Sequence, residues 1–167
     1  MAEKKERSIL ERLVTVLSRR NYSKMELRNK FSEPEKYSAP ELEQALAYLE
    51  QKGFLNDQRY AEDCVKIWKN RSYGPIKIRN KLRERGISAG VIAKVMAESE
   101  EDGNLNPLDL AVELLNKRSR SLRQIPDPVK QKGKAIRLLA SRGFPATVAF
   151  QAFDFWNRKE VHDFYSG

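Results

Sequence analysis

An internal repeat constrains the fold of this chain more than any other feature of its sequence. Residues 22–31, YSKMELRNKF, align without a gap on residues 73–82, YGPIKIRNKL, at an offset of 51. A fainter third copy places Leu, Arg, Gly and Phe at 139, 142, 143 and 144, where the second copy has Leu, Arg, Gly and Ile at 82, 85, 86 and 87. An insertion near residues 117–130 changes the offset of this third copy. Such repeats indicate units that bury their apolar faces against their neighbours.

Each copy has the apolar period of an amphipathic helix. Positions 60, 61, 64, 65 and 68 lie on one helical face, and no stretch alternates with the period of a strand. Capping signals divide the copies: Ser23 and Ser38 each precede a glutamate by three residues, and Asp57 can cap a further helix. The predicted helices span roughly residues 8–21, 23–32, 39–52, 57–70, 75–86, 88–98, 107–118, 129–142 and 145–158.

The sequence therefore predicts an all-α fold of about nine short helices, arranged as tandem three-helix repeats in an elongated, curved array. The predicted domains are repeat 1 at residues 1–53, repeat 2 at 54–103, and repeat 3 at 104–167 with a basic insertion around 117–130.

Positive charge is concentrated in two windows of the chain. The chain has 32 Lys and Arg against 23 Asp and Glu, a net charge of +9. Residues 66–85 hold eight basic residues and one acid, and residues 117–142 hold nine basic residues and one acid. Acidic residues concentrate instead at 98–109. Segregated positive charge favours a polyanionic partner, with nucleic acid first and an acidic protein surface second.

The candidate binding surface consists of basic side chains from these two windows. On the helix predicted at 75–86, Lys77, Lys81 and Arg85 form one exposed row, and Arg79 and Arg83 form another. Like charges four residues apart repel each other, so these rows do not help the helix fold. The alternative is that these rows are only a solvated helix face. The candidate residues are Lys66, Lys69, Arg71, Lys77, Arg79, Lys81, Arg83, Arg85, Arg118, Arg120, Arg123, Lys130, Lys132, Lys134 and Arg137.

The sequence contains no evident site for catalysis, for a cofactor or for a metal ion. Cys64 lies at a core position of the repeat, so we interpret it as a buried apolar side chain and not as a nucleophile. His162, the only histidine, lies in a polar tail and is expected to be exposed, and Phe153 and Trp156 are expected in the core. No apolar run has the length of a membrane span, and the N-terminus lacks a secretory signal, so we expect a soluble, cytoplasmic monomer.

Residues 53–88, GFLNDQRYAEDCVKIWKNRSYGPIKIRNKLRERGIS, resemble the signature of the RecX family, bacterial regulators of the RecA recombinase. The resemblance lies in Gly-Phe-Leu-Asn-Asp, Arg-Tyr-Ala, Tyr-Gly-Pro and Arg-Gly-Ile-Ser, and the first and third copies extend it over nearly the whole chain. It implies tandem three-helix repeats and a non-enzymatic protein that binds the groove of RecA filaments on DNA. It also implies inhibition of ATP hydrolysis, strand exchange and co-protease activity.

Two other classes of function stay open from the sequence. A general basic nucleic-acid-binding module of helix-turn-helix type would also combine three-helix units with a basic helix. An enzyme is the least favoured class, because the residues suggest no catalytic group. The expected partners are the RecA filament and single- and double-stranded DNA, with little sequence preference.

Overall fold

In the residues that the structure describes, the secondary structure consists of α-helices joined by turns and short loops. The structure is a computed structural model that describes residues 8–32, 36–103 and 105–165, with side chains described through residue 158. The helices are α1 (Ile9–Leu17), α2 (Lys24–Phe31), α3 (Ala39–Gln51), α4 (Asp57–Asn70), α5 (Pro75–Glu84), α6 (Ala89–Glu101), α7 (Pro107–Lys117), α8 (Ser119–Arg123), α9 (Pro128–Ser141) and α10 (Ala146–Tyr165). The all-α prediction is confirmed. These ranges contain ten helices because the insertion forms the additional short helix α8.

Side-chain caps set where several helices begin. The Ser23 hydroxyl accepts a hydrogen bond from the Glu26 N–H, and the Glu26 carboxylate accepts one from the Ser23 N–H. Ser38 and Glu41 form the same reciprocal pair at α3. Asn106 caps α7 by accepting from the N–H groups of its first turn. These caps confirm the sequence-based starts, because each satisfies N–H groups that have no partner within the helix.

The prediction that Asp57 caps its own helix is wrong. The side chain of Asn56 accepts from the Arg59 N–H and so caps α4. The Asp57 carboxylate instead accepts from the Lys24 N–H, 2.9 Å away at the first residue of α2. Burial raises the pKa of Asp57, and this hydrogen bond opposes the increase. Asp57 therefore connects the starts of two helices.

The helices divide into two compact units. The first contains Met1–Asp63 and Leu82–Ile92, and the second contains Cys64–Lys81 and Ala93–Gly167, so α4, α5 and α6 contribute residues to both. The division into three repeats stays a prediction. The first unit has a core of buried side chains from α1, α2 and α3 and the turn that follows α3: Leu13, Leu27, Phe31, Leu42, Ala45, Leu46, Leu49 and Leu55.

The second unit is built around α10, which packs against α7 and α9. Cys64, Phe153 and Trp156 are buried, as the sequence predicts. The side chain of His162 lies outside the described part of the chain. The main core cluster of this unit contains Ala111, Leu114, Leu115, Leu122, Ala135, Leu139, Phe144, Ala149, Ala152, Phe153 and Trp156.

Candidate nucleic-acid interface

The two basic windows meet where the start of α5 touches the turn after α9. The Gly74 N–H donates to the Arg142 carbonyl at 2.8 Å, and the Ile76 N–H donates to the Gly143 carbonyl at 3.0 Å. The two backbones approach so closely that a Cβ on Gly74 would lie 2.5 Å from the Gly143 carbonyl oxygen. Gly143 itself has φ +84°, and a Cβ there would lie 2.4 Å from the Lys77 Cβ. Glycine is therefore required on both sides of this contact.

Three cations surround one tyrosine ring at this contact. The Lys77 ammonium lies 4.7 Å from the centroid of the Tyr73 ring, and Lys81 and Arg142 each lie 5.7 Å from it. Lys81 also lies 5.6 Å from the ring of Trp68. Within the described residues, no carboxylate forms an ion pair with any of these three cations. We call Tyr73, Lys77, Lys81 and Arg142 the Tyr73 cluster.

Two of the three cations in the Tyr73 cluster donate hydrogen bonds to backbone carbonyl groups. The Lys77 ammonium donates to the Ser141 carbonyl at 3.2 Å, and the Arg142 guanidinium donates to the Arg71 carbonyl at 3.3 Å. These acceptors are neutral, so they orient the two charges without neutralising them. Cation–π contacts contribute roughly 0.5–1 kcal/mol each at exposed sites, while repulsion among the three cations opposes them. The arrangement leaves an oriented positive charge beside an aromatic ring.

The first unit contains an equivalent contact between repeat-related residues, but the charged side chains around it differ. The Ser23 hydroxyl, at the repeat position of Gly74, donates to the Arg85 carbonyl at 2.6 Å. Gly86, at the position of Gly143, has φ +74°, and a Cβ there would lie 2.4 Å from the Met25 Cβ. Arg85 itself aligns with Arg142. We call these two contacts the first and second junctions.

An acid in the first junction is replaced by a base in the second. Glu26 aligns with Lys77, and the Glu26 carboxylate forms an ion pair with the Arg85 guanidinium. Arg20 lies 3.7 Å from the same carboxylate, and its guanidinium lies 3.6 Å from the centroid of the Tyr22 ring. In the first junction Arg85 therefore faces an acid, whereas in the second junction both equivalent positions, Lys77 and Arg142, carry cations.

The pKa of Glu26 is lowered in the folded chain. Burial alone would raise it, but the hydrogen bonds from the Ser23 N–H and the Tyr60 side chain lower it. The positive charges of Arg85 and Arg20 lower it further. The folded chain therefore favours the ionised carboxylate, which forms the ion pair with Arg85. This contact gives the Arg85 guanidinium a structural partner. The sequence placed Arg85 in one exposed row with Lys77 and Lys81, but all three residues are half-buried.

The remaining candidate residues are not all equivalent. Arg79 lies 3.4 Å from Glu100, Lys132 lies 3.2 Å from Asp154, and Lys130 lies 3.9 Å from Asp127, so acids partly neutralise these three. Lys69 is half-buried. Besides Lys130, the exposed candidates are Lys66, Arg71, Arg83, Arg118, Arg120, Arg123, Lys134 and Arg137. Of the fifteen candidates, the structure brings Lys77 and Lys81 into the Tyr73 cluster.

The sequence-based list of candidates omitted Arg142 and Lys117. Arg142 lies at the C-terminal end of α9. Its alignment with Arg85 in the internal repeat was the one sequence feature that could have identified it. The Lys117 ammonium lies 3.4 Å from the hydroxyl of Ser72, next to Tyr73 in sequence, and it also pairs with Glu113. The contacts of both residues join positions far apart in the chain, which local periodicity does not predict.

Comparisons with known protein families agree with the three-helix reading. Residues 56–96 match the family described as "RecX, second three-helix domain", and residues 106–153 match "RecX, third three-helix domain". The regulatory protein RecX of Haemophilus influenzae (strain PittEE) is 35% identical over 133 residues, which cover 79% of this chain and 84% of that protein. The chain belongs to the RecX family. The regulatory protein RecX of Stenotrophomonas maltophilia (strain K279a) is 34% identical over 144 residues, covering 84% and 82% of the two chains.

Solved RecX structures share the fold. The crystal structure of a regulatory protein RecX superposes on this chain with a TM-score of 0.75 at 24% sequence identity. The superposition covers 87% of this chain and 71% of that one. RecX from Lactobacillus salivarius superposes with a TM-score of 0.76 at 17% identity, covering 89% and 94%. The second junction thus joins the segments that match the second and third RecX domains, since Tyr73 lies in one and Arg142 in the other.

The described residues form neither a metal-binding group nor a helix that spans a membrane. In the described side chains, no group of three or more His, Cys, Asp or Glu residues could hold a metal ion. None of the helices that the structure describes is both long and apolar enough to cross a membrane. The relatives carry the name of regulatory proteins, in agreement with a function in regulation.

Proposed function

We propose that this chain is a non-enzymatic negative modulator of the RecA recombinase. It binds in the groove of RecA filaments on DNA and inhibits ATP hydrolysis, strand exchange and co-protease activity. The Tyr73 cluster contacts the DNA phosphates, and other basic side chains contact DNA or acidic recombinase surface. Membership of the RecX family supports the regulatory role.

The main support for the Tyr73 cluster as the binding site is the difference in charge between the two junctions, where Glu26 of the first aligns with Lys77 of the second. A carboxylate at position 77 would neutralise Arg142, as Glu26 neutralises Arg85 in the first junction. The second junction instead keeps three cations around Tyr73 without an acid. An arrangement that gives up an available ion pair is suited to a polyanion that supplies the missing negative charge. A tyrosine ring beside cations also suits the stacking of an unpaired base.

The proposed function is tested by titrating this chain into RecA filaments preformed on single-stranded DNA while ATP hydrolysis is recorded. The chain is kept well below one copy per recombinase, and naked DNA is kept in excess so that competition for free DNA is diluted. We expect a steep fall in the rate, because one bound inhibitor in a filament groove affects many subunits. An unchanged rate would contradict the proposal.

A general nucleic-acid-binding module is the second candidate, and the Tyr73 cluster supports it as well. Such a module binds naked DNA without recombinase. A plot of the logarithm of its binding constant against the logarithm of the salt concentration has a slope of about −0.9 for each duplex phosphate contacted. Salt dependence alone does not separate the two functions, because both are electrostatic. Binding to naked DNA combined with an unchanged rate of ATP hydrolysis would identify this second function.

A further inference from the structure

An apolar groove lies between α9 and α10 in the second unit. Its volume is about 650 Å³, and its apolar lining includes Val129, Ile136, Phe150 and Phe153. Phe153 belongs to the core, whereas Val129 is 80% exposed and Phe150 is 47% exposed. Large apolar side chains grouped along a groove are unusual on a solvated surface and are typical of a place where another molecule docks.

The rim of this groove is positively charged. Helix α9 carries Lys130, Lys132, Lys134 and Arg137, and its sequence PVKQKGKAIRLLAS contains no acid. Lys132 donates to Asp154 at 3.2 Å, and its ammonium lies 5.6 Å from the rings of both Phe150 and Phe153. Lys134 and Arg137 are exposed. Asp127 and Asp154 partly neutralise Lys130 and Lys132. The excess positive charge beside the apolar floor therefore comes from Arg137, which lines the groove, and from Lys134 on the same helix.

We propose that the α9–α10 groove binds an acidic segment of a partner protein, which inserts a bulky apolar side chain between the two helices. The apolar lining provides the site for that side chain, and the cations of α9 complement the acids around it. Nucleic acid is less suited, because Val129 and Ile136 offer aliphatic surface that neither stacks on a base nor binds a phosphate. This inference rests on the proposed function, since it assigns the groove to the protein part of the filament and the Tyr73 cluster to the DNA.

Site-specific photocrosslinking in the full chain distinguishes these partners. Phe150 is replaced by p-benzoylphenylalanine, and the chain is irradiated with RecA filaments on labelled single-stranded DNA. Phe155 is the matched control position, because it lies on the same helix, is 54% exposed and does not line the groove. We expect an adduct with the recombinase from position 150, at severalfold higher yield than from position 155. Adducts with DNA alone, equal yields at both positions, or no adduct would overturn the inference.

Substitutions within the groove provide an independent readout. The variant Val129→Ser/Phe150→Ser removes exposed apolar surface, and Phe155→Ser is its control. We expect the double variant to bind filaments at least about tenfold more weakly, as for the loss of an anchoring residue, while its affinity for a free oligonucleotide is unchanged. Equal filament binding by the double variant and the control would overturn the inference, as would a parallel loss of oligonucleotide binding.

The outcomes separate this inference from the proposed function. If the chain inhibits filaments but the groove substitutions do not weaken filament binding, the groove assignment alone is contradicted. A chain that leaves ATP hydrolysis by the filament unchanged contradicts the proposed function, and the groove assignment fails with it.

Discussion

At the scale of single residues, the first junction has Glu26 where the second has Lys77, and this difference separates a structural role from the proposed binding role. The Glu26 carboxylate binds Arg85 inside the first unit. Lys77 is held beside Tyr73 and the Ser141 carbonyl, where its charge has no acidic partner among the described residues. The same position of the repeat therefore forms an ion pair in one junction, and in the other it carries the cation that we propose contacts DNA.

The variant Lys77→Glu tests this exchange through stability. We expect its free energy of unfolding to equal that of the parent or to exceed it by up to about 1 kcal/mol, because a carboxylate at position 77 can pair with Arg142 and relieve repulsion. Lys30→Glu is the matched control, since Lys30 is exposed and is the repeat equivalent of Lys81. Both are measured by chemical denaturation. A loss of more than about 1 kcal/mol relative to the control would show that Lys77 is itself structural.

The lowered pKa of Glu26 predicts a dependence of stability on pH. A carboxylate whose pKa is lower in the folded state stabilises the fold above its unfolded pKa, and this contribution is lost as pH falls through the folded pKa. We expect Glu26→Gln to lower the free energy of unfolding by about 1–3 kcal/mol at neutral pH, because its hydrogen bonds to charged groups are weakened. The difference from the parent should shrink as pH falls to about 3, measured by urea denaturation. A difference that is constant with pH would contradict this assignment.

At the scale of helices and turns, each junction depends on a glycine that ends one helix against the start of another. The Gly74 N–H and the Ser23 hydroxyl donate to equivalent carbonyls, those of Arg142 and Arg85. Close approach determines the geometry of both junctions, because a Cβ added at Gly86 or at Gly143 would overlap the facing helix. This explains why Arg142 and Lys77 reach the same tyrosine ring although 65 residues separate them in the sequence.

The variant Gly143→Ala tests this role of the turn. Its positive φ disfavours alanine, and the added Cβ would also meet Lys77. Gly53→Ala is the matched control, because Gly53 has φ +75° but has no heavy atom within 4 Å of an added Cβ. We expect the control to lose about 1 kcal/mol from its left-handed backbone and Gly143→Ala to lose clearly more, measured by thermal denaturation. Equal losses would show that the close approach at the second junction is not essential.

At the scale of the whole molecule, the sequence predicted what depends on local pattern. The all-α class and the helix starts at Ser23, Ser38 and Asn106 follow from periodicity and capping chemistry, and the structure confirms them. The short helix α8 was missed because five residues hold too few apolar positions to show a period. The role of Asp57 was missed because its hydrogen-bond partner, Lys24, belongs to another helix.

The candidate interface was predicted only in part, for the same physical reason. Charge counting identified the two basic windows, and within them Lys77 and Lys81. It could not show that Glu26 binds Arg85, or that Arg142 lies beside Tyr73, because both contacts join distant parts of the chain. The repeat alignment contained the clue, since it places Glu26 on Lys77, but the meaning of that exchange required the two junctions to be seen in three dimensions.

Inhibition of ATP hydrolysis by RecA filaments is the most direct test of the Tyr73 cluster as the contact surface. The variant Lys77→Glu/Lys81→Glu is compared with Arg19→Glu/Lys30→Glu, which makes the same change in net charge at exposed sites of the first unit. Arg85 stays unchanged in both, because Glu26 binds it. We predict that the first variant loses inhibition while the second retains it, with both chains folded by circular dichroism. Equal inhibition by the two variants would contradict the account.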